Sequence, residues 1–205
     1  MLFQQPINPY LESMKSIAVY CGSSTGINGV YKEEAELLGR LLTRNNIKVI
    51  YGGGKVGLMG VLANAVLDAG GHITGVIPGF LQTKEVAHDG LSEMVCVDTM
   101  HERKALINEM SDGAITLAGG FGTMDELFEM LTWGQLGLHQ KPVGLVNTNG
   151  YFSHILNAIQ KMVEEGFLKE INKEMALVGE NAEDLLLQME NYQAPSVPKW
   201  ITKEV

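Results

Sequence analysis

Short apolar runs alternate with longer stretches of mixed polarity along most of the chain. Each run has the length of a buried strand, and each longer stretch has apolar positions at helical spacing. The predicted strands cover residues 17–21, 47–51, 73–77, 93–97, 114–117, 142–146 and 176–178. The predicted helices cover residues 30–44, 58–69, 99–110, a stretch that begins at 123, 151–165 and 182–189.

This alternation of strands and helices predicts repeated βαβ units. Such units build a parallel sheet that helices cover on both faces. We therefore predict an α/β fold of three layers around a central, mostly parallel sheet of about seven strands. No repeat or linker interrupts the pattern, so residues 1–205 are expected to form one domain, with an N-terminal arm at 1–14 and a C-terminal tail at 193–205.

Composition narrows the classes of partner. The net charge of −9 argues against a nucleic-acid backbone or an anionic membrane surface as a partner. No apolar run has the length of a membrane span, and the first residues lack the apolar core of a signal peptide, so the predicted location is cytoplasmic. The histidines are scattered and Cys21 and Cys96 fit no zinc spacing, so no metal is expected and both cysteines are assigned to the core.

Three predicted strands end in loops of glycine and serine, at residues 22–26, 52–57 and 119–122. Ligands of parallel sheets bind beyond the carboxyl ends of the strands, so these loops are the candidate binding site. The third loop joins a strand to a helix, which exposes backbone N–H groups at a positive helix end and favours an anion, most often phosphate. A tight turn that binds nothing is the alternative.

The loop at 52–57, GGGKVG, matches the glycine pattern of dinucleotide sites. Those sites also require an acidic residue about twenty positions further on, where this chain has Ile77-Pro78-Gly79. The P-loop pattern is absent as well. NAD and ATP are therefore disfavoured and no cofactor is expected, while a mononucleotide or a sugar phosphate stays open.

Arg103 interrupts an apolar stripe on the helix predicted at 99–110. The stripe consists of Met100, Ile107 and Met110, with Arg103 between them. Such an arginine either extends along the stripe to reach water or is held by an anion in a partly buried cleft, and the pattern leaves both open. His101 and Lys104 lie on neighbouring faces and are expected in solvent.

Two glutamates have the spacing of a helix capping box, Glu102 after Thr99 and Glu126 after Thr123. For Glu102 we favour the cap. For Glu126 the cap competes with a functional interpretation, in which a phosphate binds at the glycine turn and the carboxylate faces the ribose of a nucleoside 5′-phosphate. Breaking an N-glycosidic bond builds positive charge on the sugar, which a fixed carboxylate stabilises.

Three motifs carry a resemblance to a known family: MHERK at Met100–Lys104, AGGFGTMDE at Ala118–Glu126 and GGGKVGLMG at Gly52–Gly60. From about Lys15 to Met189 the chain resembles the Lonely guy family, the cytokinin riboside 5′-monophosphate phosphoribohydrolases, many of which carry a lysine decarboxylase label. The family pattern has proline where this chain has Ala118, and alanine leaves the turn less pre-organised.

The resemblance implies a Rossmann-like fold and hydrolysis of a nucleoside 5′-monophosphate, either AMP or an N6-modified AMP, to free base and ribose 5-phosphate. It implies Arg103 and Glu126 as the catalytic pair. The implied substrate-binding residues are Gly119, Gly120, Gly122, Thr123, Lys104, Gly22, Ser23, Gly53 and Gly54. A non-catalytic nucleotide or cofactor carrier on a related fold is the alternative, but a carrier does not need Arg103 with Glu126. No residue pattern supports a pyridoxal-dependent decarboxylase.

The resemblance also implies a homodimer with sites near the subunit interface. The helix that begins at 123 supports a partner surface, because it has more apolar residues than one stripe can bury against one sheet. These residues are Leu127, Phe128, Met130, Leu131, Trp133 and Leu136. The alternative is that the C-terminal helices cover them.

Overall fold

The computed structural model describes residues 14–82 and 87–195. Its seven strands are β1 (Ser16–Tyr20), β2 (Lys48–Tyr51), β3 (Ile73–Pro78), β4 (Glu93–Val97), β5 (Gly113–Thr116), β6 (Val143–Val146) and β7 (Ala176–Gly179). Its helices are α1 (Val30–Arg44), α2 (Gly57–Asp68), α3 (Met100–Glu109), α4 (Phe121–Gln135), α5 (Ser153–Glu164), α6 (Glu170–Lys173) and α7 (Ala182–Glu190). All of the predicted N-terminal arm except Met14, and the predicted tail beyond residue 195, lie outside the described residues.

The strands form one sheet in the order β4-β3-β2-β1-β5-β6-β7, and every neighbouring pair is parallel. This order is that of a Rossmann-like α/β fold, so the predicted fold class is confirmed. The strand order reverses between β1 and β5, where such sheets open a crevice for ligands. The three strands that end in glycine loops, β2, β1 and β5, are direct neighbours around that point.

Alternate residues of each strand enter two separate cores, one on each face of the sheet. In β1, Ile17 and Val19 pack in the core that α1, α2 and α7 cover. Ala18 and Tyr20 pack in the other core, against α3 and α4. Burial on both faces explains why the strands appear in the sequence as continuous apolar runs. Tyr20 faces the core below α3 and α4, so it lies on the same side of the sheet as Arg103 and Glu126.

Three details differ from the sequence predictions. Helix α4 begins at Phe121, two residues earlier than predicted, because the extended Gly120 serves as its N-cap. The four-residue helix α6 was not predicted, since so short a segment shows no periodicity. Cys21 is buried as expected, but Cys96 is exposed, because β4 is an edge strand with little cover. Within residues 14–82 and 87–195, no helix is long and apolar enough to cross a membrane.

Candidate functional site

The loops after β1, β2 and β5 meet through backbone contacts. The Gly22 N–H donates to the Ala118 carbonyl, and the Leu58 N–H donates to the Gly22 carbonyl, both at 3.0 Å. A β-carbon on Gly119 would lie 2.2 Å from Thr123 Oγ1 and 2.9 Å from the Gly22 nitrogen. Glycine is therefore required at 119 for the loops after β1 and β5 to approach this closely.

The N-terminus of α4 points out of this junction and carries no side-chain cap among the described residues. Its first turn contains no acidic residue, so no carboxylate of that turn repels an anion. The first N–H groups of a helix have no partner within the helix, and the helix dipole adds positive charge at this end. Gly120 and Gly122 are exposed, and a β-carbon on either would meet nothing within 4 Å. The turn thus has the features of an anion site with open access.

Glu126 does not cap this helix. The N-cap is Gly120, so Thr123 is the third residue of α4 and Glu126 lies in its second turn. The predicted capping box at Thr123 and Glu126 is therefore wrong, whereas the one at Thr99 and Glu102 is confirmed in full. The helix cap no longer explains the carboxylate of Glu126.

Arg103 is buried, with 5% of its surface exposed. Its Nη2 donates to the Gly52 carbonyl at 3.1 Å, and its Nη1 lies 3.9 Å from Met100 Sδ. Its Nε–H is buried and has no hydrogen-bond partner in the described part of the chain. The guanidinium is therefore held inside a cleft, and the alternative that it extends along the stripe into water is wrong.

Tyr20, the last residue of β1, is close enough to Arg103 and Glu126 for both charges to affect its pKa. Burial raises the pKa of the Tyr20 phenol well above its usual value, and the carboxylates of Glu126 and Glu129 raise it further, while Arg103 opposes them. Burial also raises the pKa of Cys21, with Glu126 as a second cause. The charges of Arg103 and Glu126 therefore both lie near the carboxyl end of β1, where the strand order reverses.

Lys104 is not in solvent as its helical position predicts, since only 12% of its side chain is exposed. Its ammonium lies 3.1 Å from Asp125 Oδ2 and 3.0 Å from Glu129 Oε1. Burial acts to lower the pKa of Lys104, but the hydrogen bonds to Glu129 and Asp125 outweigh it, so the pKa is raised. Lys104 therefore joins α3 to α4 beside the predicted pair, whereas His101 is exposed as expected.

The remaining predicted substrate-binding residues differ in their exposure to solvent. Ser23 is exposed on the loop after β1, next to Gly22. Gly53 and Gly54 are buried: a β-carbon on Gly53 would face Met94, and the Gly54 carbonyl accepts a hydrogen bond from the Tyr51 hydroxyl at 3.2 Å. Those two glycines make their contacts toward β2, β3 and β4, away from the start of α4.

Sequence reasoning missed several residues of this region. Tyr20 could have been found, because it directly precedes a glycine loop at the end of a buried strand. Gly52 and Glu129 become informative only through their contacts with Arg103 and Lys104. Tyr151 donates its hydroxyl to the Gly119 carbonyl from a segment after β6, and no sequence signal links the two. Among the described residues, no group of three His, Cys, Asp or Glu side chains could hold a metal ion.

Comparison with known proteins shows the family of this chain. The family model described as "Possible lysine decarboxylase" matches residues 59–189. The chain is 44% identical over 179 residues to cytokinin riboside 5′-monophosphate phosphoribohydrolase LOG7 of Arabidopsis thaliana, covering 87% of this chain and 82% of the relative. It is 41% identical over 191 residues to LOG2 of the same plant, covering 93% and 89%.

Solved structures show the same fold at lower identity. The protein TM1055 superimposes with a TM-score of 0.66 at 22% identity, covering 87% of this chain and 100% of that one. The molybdenum cofactor carrier protein from Chlamydomonas reinhardtii gives a TM-score of 0.64 at 18% identity, covering 86% and 95%. At such identities the likeness concerns the fold alone. The family match and the identities above 40% show that the chain belongs to the Lonely guy (LOG) family.

Proposed function

We propose that this protein hydrolyses the N-glycosidic bond of a nucleoside 5′-monophosphate and releases the free base and ribose 5-phosphate. Its relatives at 41–44% identity are named as phosphoribohydrolases of cytokinin riboside 5′-monophosphates, and the match spans most of their length. One structural observation carries the proposal: the Arg103 guanidinium is buried and held by the Gly52 carbonyl at the end of β2, and an ion pair joins its helix α3 to α4, which begins at an uncapped N-terminus and carries Glu126. The substrates that we expect are AMP and N6-modified AMP.

The phosphate is assigned to the turn that begins α4. The backbone N–H groups of Gly119, Gly120, Gly122 and Thr123 supply donors, and the helix dipole supplies positive charge. Gly22 and Ser23 border the same space from the loop after β1. Lys104 adds a cation next to Arg103, although its ammonium is already shared by two carboxylates. Gly53 and Gly54 contribute indirectly, by shaping the loop after β2.

The carboxylate of Glu126 is assigned to the ribose of the substrate. As the bond from the ribose anomeric carbon to the base nitrogen breaks, the electron pair leaves with the base and positive charge develops on the ribose. A carboxylate fixed beside that carbon stabilises the charge and orients a water molecule for attack. The water oxygen joins the anomeric carbon, and one water proton is transferred to the departing base. Arg103 holds the ligand or Glu126 in place through its buried charge.

A nucleotide or cofactor carrier is the weaker interpretation. A carrier requires the glycine turn, but it does not need a buried arginine on α3 together with a carboxylate on α4, the helix that an ion pair joins to α3. The likeness to molybdenum cofactor carriers extends to the fold only, at 18% identity. The hydrolase therefore accounts for more of the site.

A panel of nucleoside 5′-monophosphates tests the proposal. The purified protein is incubated with AMP, N6-isopentenyl-AMP, GMP, CMP and UMP, and free base and ribose 5-phosphate are quantified by chromatography. We expect equimolar release of both products from AMP or its N6-modified form. Tight binding of a nucleotide without any release of base would favour the carrier instead.

We also propose a homodimer with sites near the subunit interface. In α4, Leu127 and Met130 are buried in the core, but Phe128 is exposed and Trp133 is only partly buried. Leu138, just after the helix, is exposed as well. Light scattering at micromolar concentration should give twice the chain mass of 22.4 kDa, and a monomer would contradict the proposal. The single domain and the cytoplasmic location stay predictions from the sequence.

A further inference from the structure

Gly52, the residue after β2, is in direct contact with Arg103. Its carbonyl oxygen accepts a hydrogen bond from Arg103 Nη2 at 3.1 Å. A β-carbon on Gly52 would lie 2.0 Å from the same Nη2 and 3.2 Å from the guanidinium carbon. The guanidinium therefore fills the space that a β-carbon would take at this position.

The reason for glycine at 52 differs from that at two other crowded glycines nearby, at the start of α2 and within it. A β-carbon on Gly60 would lie 2.0 Å from the Lys55 carbonyl oxygen, and one on Gly57 would lie 2.1 Å from the Ser23 backbone. At Gly52 the nearest atoms all belong to the side chains of Arg103 and Met59, and the backbone is not in the left-handed region. The fold itself would therefore accept alanine at 52, and only the arginine would have to move.

Among the described residues, the Gly52 carbonyl makes the shorter of the two hydrogen bonds given for the guanidinium. The contact from Nη1 to the Met100 sulfur is long at 3.9 Å, and sulfur is a weak acceptor. The Nε–H has no partner among the described residues. A carbonyl fixes the direction of the guanidinium through a dipole and leaves its positive charge in place.

We infer that Gly52 is a positioning residue for the reaction. Its missing side chain admits the Arg103 guanidinium to the end of β2, and its carbonyl holds the group in the orientation that catalysis uses. The inference deepens the proposed function and rests on it, since it assigns the glycine to the placement of the proposed catalytic arginine. It also explains why the first glycine of the loop at 52–57 serves a purpose other than dinucleotide binding.

Gly52→Ala is the direct test. The added methyl group displaces the guanidinium, and a displacement of about 1 Å lowers kcat by roughly a hundredfold. We expect circular dichroism to show a folded protein and KM for AMP to change much less than kcat. Gly29→Ala is the matched control, because a β-carbon there would meet nothing within 4 Å, and its kcat should stay within about twofold of the wild type.

A double-mutant cycle with Arg103→Met separates this role from a general structural one. We expect Gly52→Ala to lower the urea midpoint in the wild-type background, because it breaks a buried hydrogen bond to a charged group, and to leave the midpoint unchanged in the Arg103→Met background. Equal midpoint shifts in both backgrounds, or wild-type kcat in Gly52→Ala, would overturn the inference. If the wild type releases no base from any nucleotide, the proposed function fails, while the cycle still measures the coupling of the two residues.

Discussion

The ammonium group of Lys104 lies 3.0 Å from the carboxylate of Glu129, and this pair joins α3 to α4. These are the helices that carry Arg103 and Glu126. The pair is well shielded, with 12% of the lysine side chain and 24% of the glutamate side chain exposed, while the second partner, Asp125, is largely in solvent. The ion pair therefore holds the two proposed catalytic helices at a fixed separation.

Lys104→Met should lower the free energy of unfolding at neutral pH, because it leaves two carboxylates without their shared cation. Hydrogen bonds to charged groups contribute about 1.5–3 kcal/mol, and we expect the low end because Asp125 is exposed. The raised pKa of Lys104 determines how the stabilisation by its ion pairs depends on pH. The Lys104 ion pairs contribute in full to the free energy of unfolding below the unfolded lysine pKa of about 10.4. This contribution is lost as the pH rises through the higher pKa of the folded state. Urea unfolding of both proteins from pH 7 to pH 11 measures this difference.

Lys161→Met is the matched control for that experiment. Lys161 also has two carboxylate partners, Glu164 and Glu165, but 64% of its side chain is exposed. Exposed pairs are screened by water, so the control should lose about 0.5 kcal/mol or less. Equal losses in the two variants would show that the Lys104 pairs are ordinary surface pairs.

Arg103→Met should abolish most of the activity without unfolding the protein. Methionine suits the apolar stripe, and removing a buried charge offsets the loss of the hydrogen bond to Gly52, so the free energy of unfolding should change by less than about 2 kcal/mol. Base release should fall by roughly a hundredfold or more, as expected when a group that positions the ligand or Glu126 is lost. The measurement is kcat with AMP beside urea unfolding, and kcat near the wild-type value would leave Arg103 with a structural role.

Removal of the substrate phosphate should abolish productive binding. The turn at the start of α4 offers backbone donors to an anion in a protein of net charge −9. Two or three hydrogen bonds of about 1.5 kcal/mol each amount to roughly two to three powers of ten in kcat/KM. Adenosine should therefore be hydrolysed at least that much less efficiently than AMP, in matched progress curves. Equal turnover of the two would place the anion site elsewhere.

His139 should make the protein less stable in mild acid. Its Nε2 lies 2.9 Å from the Met130 carbonyl, and its Nδ1 accepts a hydrogen bond from the Lys141 N–H, so the ring is held neutral. Burial lowers the pKa of His139; the Met130 carbonyl opposes this and the nearby Lys141 charge adds to it. Because the pKa of His139 is lower in the folded than in the unfolded protein, neutral His139 stabilises the fold fully above the unfolded pKa of about 6.5. This stabilisation is lost as the pH falls through the pKa of the folded protein.

Urea midpoints measured between pH 5 and pH 8 test this expectation. His139→Gln should flatten the decline of the midpoint below pH 6.5, because glutamine does not titrate. His154→Gln, at an exposed position of α5, should keep the wild-type slope. An unchanged slope in His139→Gln would assign the acid sensitivity to other groups.

Much of the fold could be predicted because burial on both faces leaves a direct trace in the sequence. The strands of a parallel sheet read as continuous apolar runs, and the glycine loops that follow β1, β2 and β5 mark the edge where they end. The sequence cannot give the order of the strands by itself. That order makes β2, β1 and β5 neighbours and so brings the three loops together.

The contacts of the site were harder to predict because periodicity assigns a residue to a helix face but does not name its partner. Arg103 donates a hydrogen bond to the carbonyl of Gly52, 51 positions earlier in the chain. Lys104 donates to the carboxylates of Asp125 and Glu129, 21 and 25 positions later. Glu126 was ambiguous for a local reason: Thr123 has the spacing of a cap, but the extended Gly120 starts the helix first.

The role of Glu126 is tested most directly by the rate of free base release from AMP by Glu126→Gln. Glutamine keeps the size of the side chain and removes its charge, and the urea midpoint measured beside the rate shows whether the variant is folded. Glu102→Ala is the opposite control, because Glu102 caps α3 by accepting the N–H groups of Asp98 and Thr99. That variant should lose about 1 kcal/mol of stability and keep its turnover.

The measurement compares single-turnover release of base by the wild type, Glu126→Gln and Glu102→Ala, each in saturating excess over AMP. If the carboxylate stabilises the developing ribosyl charge, Glu126→Gln should be slower than the wild type by roughly two powers of ten or more. Release of base at the wild-type rate by a folded Glu126→Gln protein would contradict the account.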